Sequence, residues 1–440
     1  MSLFFIALAA AAAAITPLDA VPQTRLEPAL HCRLGAYALP AGRFVSITGQ
    51  GGHPRDLQYT LSSEEFGRLR EGADGSYAAG TLAIAFEPCD LGKLKLTRGE
   101  TTEQGVRLPL VETPTTFSSS DGVKLRGKLV LPQGNRPRAL AVWIDGSNND
   151  PSTDDTVWQY ELARRGVAVF VYDKRGTGGS AGALSADFNV RAQDTAAAVR
   201  QARRLAPGVR KVGVIGGSQG GWVAPLAATL TPLDFVIPAF AMAEGPIAQD
   251  RQVVEDQLRQ AGFKGADLDK GAALTELTAR VVRSNFRDGF EELDAFRTAH
   301  AGESWLKAIQ PRSYTGVLLP LPSADAKAGG AAASQGLSFG YEPRPVIEAI
   351  KPRQLWLLGG SDHQAPNAAT QAILRQIQDR RSDLDVVVFP KADHGLIERT
   401  QTAGGVQSAY SPRLFDIVAA WIESGALPGP GHFVIMPTAN

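Results

Sequence analysis

Only two cysteines, Cys32 and Cys89, occur in 440 residues, which excludes a disulfide-dense scaffold and a cysteine-ligated metal cluster. The six histidines are dispersed, and neither His31 nor His53 stands at metal-ligand spacing from the other or from a cysteine, so no metal is expected. Charge of one sign is not in excess: Lys plus Arg and Asp plus Glu number 45 each. That balance leaves no general attraction to nucleic acid or to an anionic membrane surface. No G-x-x-x-x-G-K-[ST] appears, "YDKRGTGGS" contains no G-x-G-x-x-G, and no cofactor is predicted. These absences leave a turn-rich globular chain whose partner is a small molecule.

A long apolar stretch opens the chain, in "MSLFFIALAAAAAAITPLDA", and it is shorter than the roughly 20 residues of a membrane-spanning helix. Followed by small residues, it reads as a secretory signal over 1–20, although no basic segment precedes it. Export to a periplasm or the exterior is the expectation, with no stable membrane span; a buried N-terminal helix is the alternative. An oxidising compartment would permit Cys32 and Cys89 to pair, and two unconnected buried thiols are the other reading.

From 21 to 112, short alternating runs such as "RFVSITG", "LQYTLS", "GTLAIAFEP" and "KLKLTRG" lie between Gly- and Asp-rich turns. They predict a small β-rich accessory domain with one helix at most, over Ser62–Arg70. From 113 the pattern changes. A hairpin turning at Asp121 and Gly122 is followed by apolar runs, "ALAVWIDG", "VAVFVYD", "KVGVIGG", "DFVIPAF", "RQLWLLGG" and "DLDVVVFP", separated by amphipathic helical stretches. This is the rhythm of a parallel sheet with crossover helices, extending to 427. Between about 244 and 346 the rhythm yields to helical spacing alone, an inserted cap, in which "PSADAKAGGAAASQG" reads as a mobile loop. Residues 428–440 are left as a C-terminal tail.

One constellation carries chemistry. "GGSQG", with Ser218 at its centre, follows a predicted strand and precedes a predicted helix, the setting in which a sharp turn projects a serine hydroxyl. Such a hydroxyl needs a base, and His394 in "VVVFPKADHGL" lies just beyond an apolar strand. The base needs an orienting acid, and Asp362 in "LWLLGGSDHQAP" follows the preceding strand. Asp393, adjacent to His394, is a helper at most. Donors for a developing oxyanion are expected from the backbone N–H of Gln219 and from Gly146 or Ser147 in "WIDGSNND". The turn "YDKRGTGGS" reads as structural, held by Asp173 and Arg175.

On "GGSQGG", the "DG" of "WIDGSNND", "YDKRGTGGS", "LLGGSDHQAP" and "ADHGL", residues 113–427 resemble the α/β-hydrolase superfamily, closest to its dienelactone hydrolase and serine aminopeptidase-like branch. The resemblance implies an eight-stranded, mostly parallel sheet with helices on both faces, Ser218 as nucleophile, His394 as base and Asp362 as its orienter. "DGSNND" departs from the His-Gly-Gly-Gly oxyanion motif of several lipases.

The reading that follows is a serine hydrolase acting on carboxylic esters through an acyl-enzyme, with Trp305 and Phe290 of the cap lining an acyl pocket. A peptide amidase or aminopeptidase using the same three residues is a second reading, its free amine held by Glu291 or Glu292. A non-catalytic binding protein on a hydrolase fold is a third. The oligomeric state is left open.

Overall fold

Period-two alternation in the N-terminal part closes on itself. The computed structural model describes residues 25–62, 65–132, 137–402, 405–427 and 432–436; the expected secretory signal lies outside them. Strands β1 (Gly35–Ala38), β2 (Phe44–Gln50), β3 (His53–Leu61), β4 (Glu65–Glu71), β5 (Tyr77–Ala79), β6 (Leu82–Phe86), β7 (Lys93–Arg98) and β8 (Thr101–Arg107) pair antiparallel in sequence order. β8 returns to β1, with Tyr37 opposite Arg107. The result is an eight-stranded up-and-down barrel without free edges. Val45, Ile47, Leu57, Leu69, Ile84 and Leu94 are fully buried in its core. The helix expected over Ser62–Arg70 is corrected: Glu65–Glu71 is strand β4, because alternate positions such as Leu69 face the barrel core.

Cys32 and Cys89 form a disulfide that ties the turn before β1 to the turn between β6 and β7, across 57 positions of sequence. Glu161 reaches across the boundary with the rest of the molecule and accepts the Ser46 hydroxyl at 2.8 Å. Val130 and Tyr160 of the larger domain belong to the barrel's own hydrophobic cluster.

The larger sheet contains the eight expected strands, β9 (Leu110–Ser118), β10 (Lys124–Pro132), β11 (Ala139–Ile144), β12 (Val167–Tyr172), β13 (Lys211–Gly217), β14 (Phe235–Ala239), β15 (Arg353–Gly359) and β16 (Leu384–Phe389). Their spatial order is β9-β10-β12-β11-β13-β14-β15-β16, parallel from β12 onward. A ninth short strand, Phe433–Ile435, extends the sheet beside β16, so part of the expected tail belongs to the fold. Hydrophobic clusters cover both faces of the sheet. One contains Trp158 of α1 (Trp158–Ala163); the other contains residues of α2 (Phe188–Leu205) and α3 (Gly220–Leu230).

The insertion between β14 and β15 forms α4 (Pro246–Gln260), α5 (Ala266–Arg283), α6 (Phe290–Ala299), α7 (Tyr314–Leu318), α8 (Ser323–Ala333) and α9 (Arg344–Ala349), most of them packed around a separate apolar core. The tract expected to be a mobile loop is helix α8. A Cβ on Gly330 would come within 2.3 Å of Phe286, so the small residues let this helix press onto an aromatic ring. Helices α10 (Ala368–Gln378) and α11 (Leu414–Ser424) complete the sheet's cover. A further hairpin, β17 (Ile397–Thr402) with β18 (Gly405–Tyr410), leaves the larger domain and pairs with barrel strand β4, Ser408 opposite Phe66. Among the described residues no helix is long and apolar enough to cross a membrane.

Closing a loop of this length removes chain entropy from the unfolded state equivalent to about 4 kcal/mol, of which about 2–4 kcal/mol is usually realised. Cys32→Ser is therefore expected to lower the melting temperature by several degrees, and reductant to do the same to the parent alone. Thermal unfolding followed with and without reductant measures this; a parent indifferent to reductant would contradict it.

Candidate active site

The parallel strands deliver polar side chains to one edge of the sheet. The strand order reverses around β11, and the crevice at the carboxyl ends beside such a reversal is where open α/β sheets bind ligands. Ser218 follows β13 with φ at 53°, a left-handed conformation that costs an L-residue roughly 1–2 kcal/mol. Glycines around it permit the approach of backbone to backbone. A Cβ on Gly216 would lie 2.1 Å from the Gly220 carbonyl oxygen, and one on Gly220 would lie 2.3 Å from that of Ile144. The turn is fixed by the Ser218 N–H donating to the Ala239 carbonyl at 3.0 Å and the Gly221 N–H donating to that of Ser218 at 2.8 Å.

His394, on the loop after β16, lies with Nε2 2.9 Å from Ser218 Oγ and Nδ1 2.9 Å from Asp362 Oδ2. Asp362, on the loop after β15, is only 5% exposed. Its second oxygen accepts the backbone N–H groups of Gln364 at 2.9 Å and Ala365 at 2.8 Å. Those two bonds fix the carboxylate and leave Oδ2 for the imidazole, which assigns the proton of neutral His394 to Nδ1 and leaves Nε2 to accept from the serine. The Phe240 ring stands edge-on to His394 at 5.2 Å. Asp393 pairs with Arg399 rather than with its neighbour His394.

The backbone groups expected near an oxyanion are placed unequally. Gln219 immediately precedes α3, so its N–H stands at a helix N-terminus. Gly146 lies against the serine, where a Cβ would sit 3.2 Å from that of Ser218, but its N–H donates to Asp145 Oδ1 at 2.8 Å. Ser147 lines a cavity with Ser218 and Gln219.

Two basic residues escaped the sequence reading. Lys174 is buried and donates to the carbonyl of Gly146 at 2.9 Å and to both oxygens of Asn148; burial pushes its ammonium down to about 8. Buried Arg191 bridges the Gln219 side chain and the Asp145 carbonyl. Lys174 thus fastens the loop after β11 to its own turn after β12, and Arg191 fastens that loop to the turn after β13. In sequence, Lys174 sits within the glycine-rich turn read as structural, and Asp173 and Arg175 do hold that turn: Asp173 accepts the Gly179 N–H at 2.9 Å, and Arg175 pairs with Asp194.

Two cavities meet at Ser218. One lies under the cap, bounded by Trp222, Phe240, Met242, Val253, Tyr314 and Leu337. The other, of about 370 Å³, lies toward the barrel and includes His394. The expectation that Trp305 and Phe290 line an acyl pocket is corrected: they are 1% and 3% exposed and belong to the cap's own core. Glu291 and Glu292 are exposed on α6, the latter 3.8 Å from Arg280, and border neither of these cavities. Among the described residues no group of three acidic, histidine or cysteine side chains is placed to hold a metal ion.

Asp250 of α4 borders the cap cavity at 3% exposure. Thr315 donates to it through its N–H at 2.8 Å and its hydroxyl at 2.6 Å. Burial outweighs these bonds and pushes the carboxyl up to about 7. With the folded-state value above the unfolded one, the contribution is favourable below the unfolded value and is lost as pH rises from about 4 to about 7. Asp250→Asn is expected to be more stable than the parent at pH about 8, by on the order of 3 kcal/mol, and nearly equal to it at pH about 4. Melting curves at both pH values test this; an equal offset at both would mean that Asp250 does not titrate as described.

Residues 149–403, more than half of the chain, match the sequence profile of the alpha/beta hydrolase family. No curated protein matches the sequence. Solved structures that are similar include an esterase of Pyrococcus furiosus, 14% identical, covering 65% of this chain and 83% of its own at a TM-score of 0.40. An esterase of Exiguobacterium antarcticum is 14% identical over 71% of this chain and all (100%) of its own, at a TM-score of 0.38. Est1E of Butyrivibrio proteoclasticus, solved with ferulic acid bound, is 16% identical over 71% and 97%, at a TM-score of 0.39.

Proposed function

Because the chain belongs to the alpha/beta hydrolase family, we propose that it is a serine hydrolase that cleaves carboxylic esters through an acyl-enzyme on Ser218. The observation that carries this reading is the unbroken hydrogen-bond chain from Ser218 Oγ through the His394 ring to Asp362. In the proposed reaction His394 Nε2 takes the hydroxyl proton as Ser218 Oγ bonds to the ester carbonyl carbon, whose π electrons move onto oxygen. Collapse of that adduct breaks the bond to the alcohol, which leaves with the proton from His394. A water molecule then repeats the sequence: it gives a proton to His394, attacks the acyl carbon and releases the acid as Ser218 recovers its proton. Asp362 keeps the imidazole oriented and favours its charged form in both halves.

The oxyanion is assigned to the Gln219 N–H and to a second N–H from the loop after β11. Gly146 and Ser147 are the two candidates for the second; in the structure the Gly146 N–H donates to Asp145 Oδ1. The small cap cavity, of about 80 Å³, supports a short acyl group. Export remains part of the proposal, supported by the Cys32–Cys89 disulfide.

Labelling with a fluorophosphonate probe is expected in the parent and not in Ser218→Ala or His394→Ala. Turnover of a short para-nitrophenyl ester should fall by about 10³-fold or more in either variant and in Asp362→Asn. Folded parent that neither labels nor turns over the ester would overturn the reading. Faster turnover of matched anilides than of esters would move it to the amidase alternative.

A further inference from the structure

The cavity toward the barrel is strongly acidic on one side. Asp145, Asp150 and Asp155 line it together with Ser218 and His394, and barrel residues Gly49, Gln50, Gly51 and Gln58 complete the wall. Asp145 is satisfied: its oxygens accept the Gly146 N–H and, at 3.0 Å, the Ser152 hydroxyl. The other two differ. Among the described residues no cationic side chain lies within ion-pair distance of Asp150 or Asp155. Lys174 and His53 act on Asp150 only from further away; Lys174 is committed to Gly146 and Asn148, and His53 to Arg68. Arg126 pairs with Asp154 and Asp173 instead.

Two buried polar atoms in the same wall have no partner at all: Asp155 Oδ2, an acceptor, and the indole N–H of Trp143, a donor on a residue only 5% exposed. Burial first, then repulsion from neighbouring aspartates, raises both the Asp150 and Asp155 carboxyls above the ordinary range. A buried carboxylate without a cation is costly, and so is a buried donor without an acceptor. The barrel does not relieve this cost; it encloses it. A Cβ on Gly49 would meet Asp155 Oδ1 at 2.5 Å, and one on Gly51 would meet Asp150 Oδ2 at 2.4 Å. Trp143 stacks on Trp158 at 5.0 Å, and Tyr410 adds a further aromatic wall, surfaces that favour a cation.

We propose that this cavity receives an ammonium group of the substrate, held between Asp150, Asp155 and the aromatic wall, with Trp143 donating to an oxygen of the same molecule. The substrate class is then an ester carrying a cationic amine within a few bonds of the scissile carbonyl, either in the acyl part, as in an aminoacyl ester, or in the alcohol part, as in an amino-alcohol ester. This rests on the ester-hydrolase reading above, and it gives the barrel a direct role in specificity.

The test compares kcat/KM for shape-matched pairs that differ in charge: a β-alanyl against a butanoyl para-nitrophenyl ester for the acyl side, and S-2-(dimethylamino)ethyl thioacetate against S-3-methylbutyl thioacetate for the alcohol side. In one pair the cationic member should be preferred by about ten- to a hundredfold, the range of a charge-assisted hydrogen bond. That preference should shrink by a similar factor in Asp150→Asn and Asp155→Asn, chiefly through KM. If either variant fails to fold, the parent alone suffices: butylammonium should inhibit neutral-ester turnover far more strongly than butanol does. A parent that hydrolyses neutral esters with no cationic preference in either pair, and with equal inhibition by the two additives, overturns this inference and leaves the hydrolase reading intact. A folded parent that turns over neither kind of ester and takes no fluorophosphonate overturns both.

Discussion

The left-handed turn at Ser218 is the constraint on which the rest of the site depends. A serine held at φ 53° is strained by itself, and it persists only because α3 is drawn tightly against the ends of β11 and β13. That approach exists because Gly216, Gly220 and Gly221 place hydrogen where any side chain would strike backbone or the Ala241 methyl. The same compaction sets the Gln219 N–H at a helix terminus and brings the loop after β11 within van der Waals distance of the serine. His394 and Asp362 then need only ordinary loops after β16 and β15, because the sheet has already decided where those loops emerge.

The barrel is more than an appended module. Its hydrophobic cluster continues into Val130 and Tyr160 of the larger domain, and the buried bond between Ser46 and Glu161 crosses the boundary. Three residues beyond His394 the chain enters β17, and β18 pairs with β4, reinforced by Tyr410 against Phe66 at 4.9 Å. The loop carrying the imidazole is therefore anchored on one side by the parallel sheet and on the other by the barrel. A disturbance of the barrel has a short physical route to His394.

Much of this was legible in the sequence, for identifiable reasons. Strands such as "LDVVVF", buried on both faces, carry a local signal in their β-branched residues and bounding turns, and the positions of Ser218, Asp362 and His394 follow from which strand each one succeeds. The cap's interior was less legible. Trp305 and Phe290 read equally as lining or as core, because helical spacing gives a face but not what that face meets. Ser323–Ala333 read as loop on its low complexity, although six of its eleven residues are alanine, the strongest helix former; Gly329 and Gly330 weaken that local signal, and close packing on Phe286 adds what the sequence does not show. The β17–β18 hairpin was missed, since "IERTQT" lacks apolar alternation: its partner lies more than three hundred residues away in a domain read as separate. The acidic cavity was invisible for the same reason, since neither "GQGG" nor "SNNDPSTDD" is unusual until the two stretches face each other.

The asymmetry around Ser218 separates chemistry from selectivity. Elements of the sheet supply the hydrogen-bond chain, and these are common to the fold. What borders Ser218 on either side comes largely from additions: the cap contributes an apolar wall with a reluctantly ionised Asp250, and the barrel closes off carboxylates that the loop after β11 presents. A carbonyl group bound between them would meet low polarity on one side and, with Asp150 and Asp155 ionised, negative potential on the other. Negative potential close to a developing oxyanion opposes its formation unless it is neutralised locally. Lys174 and Arg191, both buried and both tied to the loop after β11 or to Gln219, would supply part of that compensation from behind the proposed oxyanion site. A substrate cation seated on Asp150 and Asp155 would supply the remainder from the front, so that the group recognised would also favour the reaction.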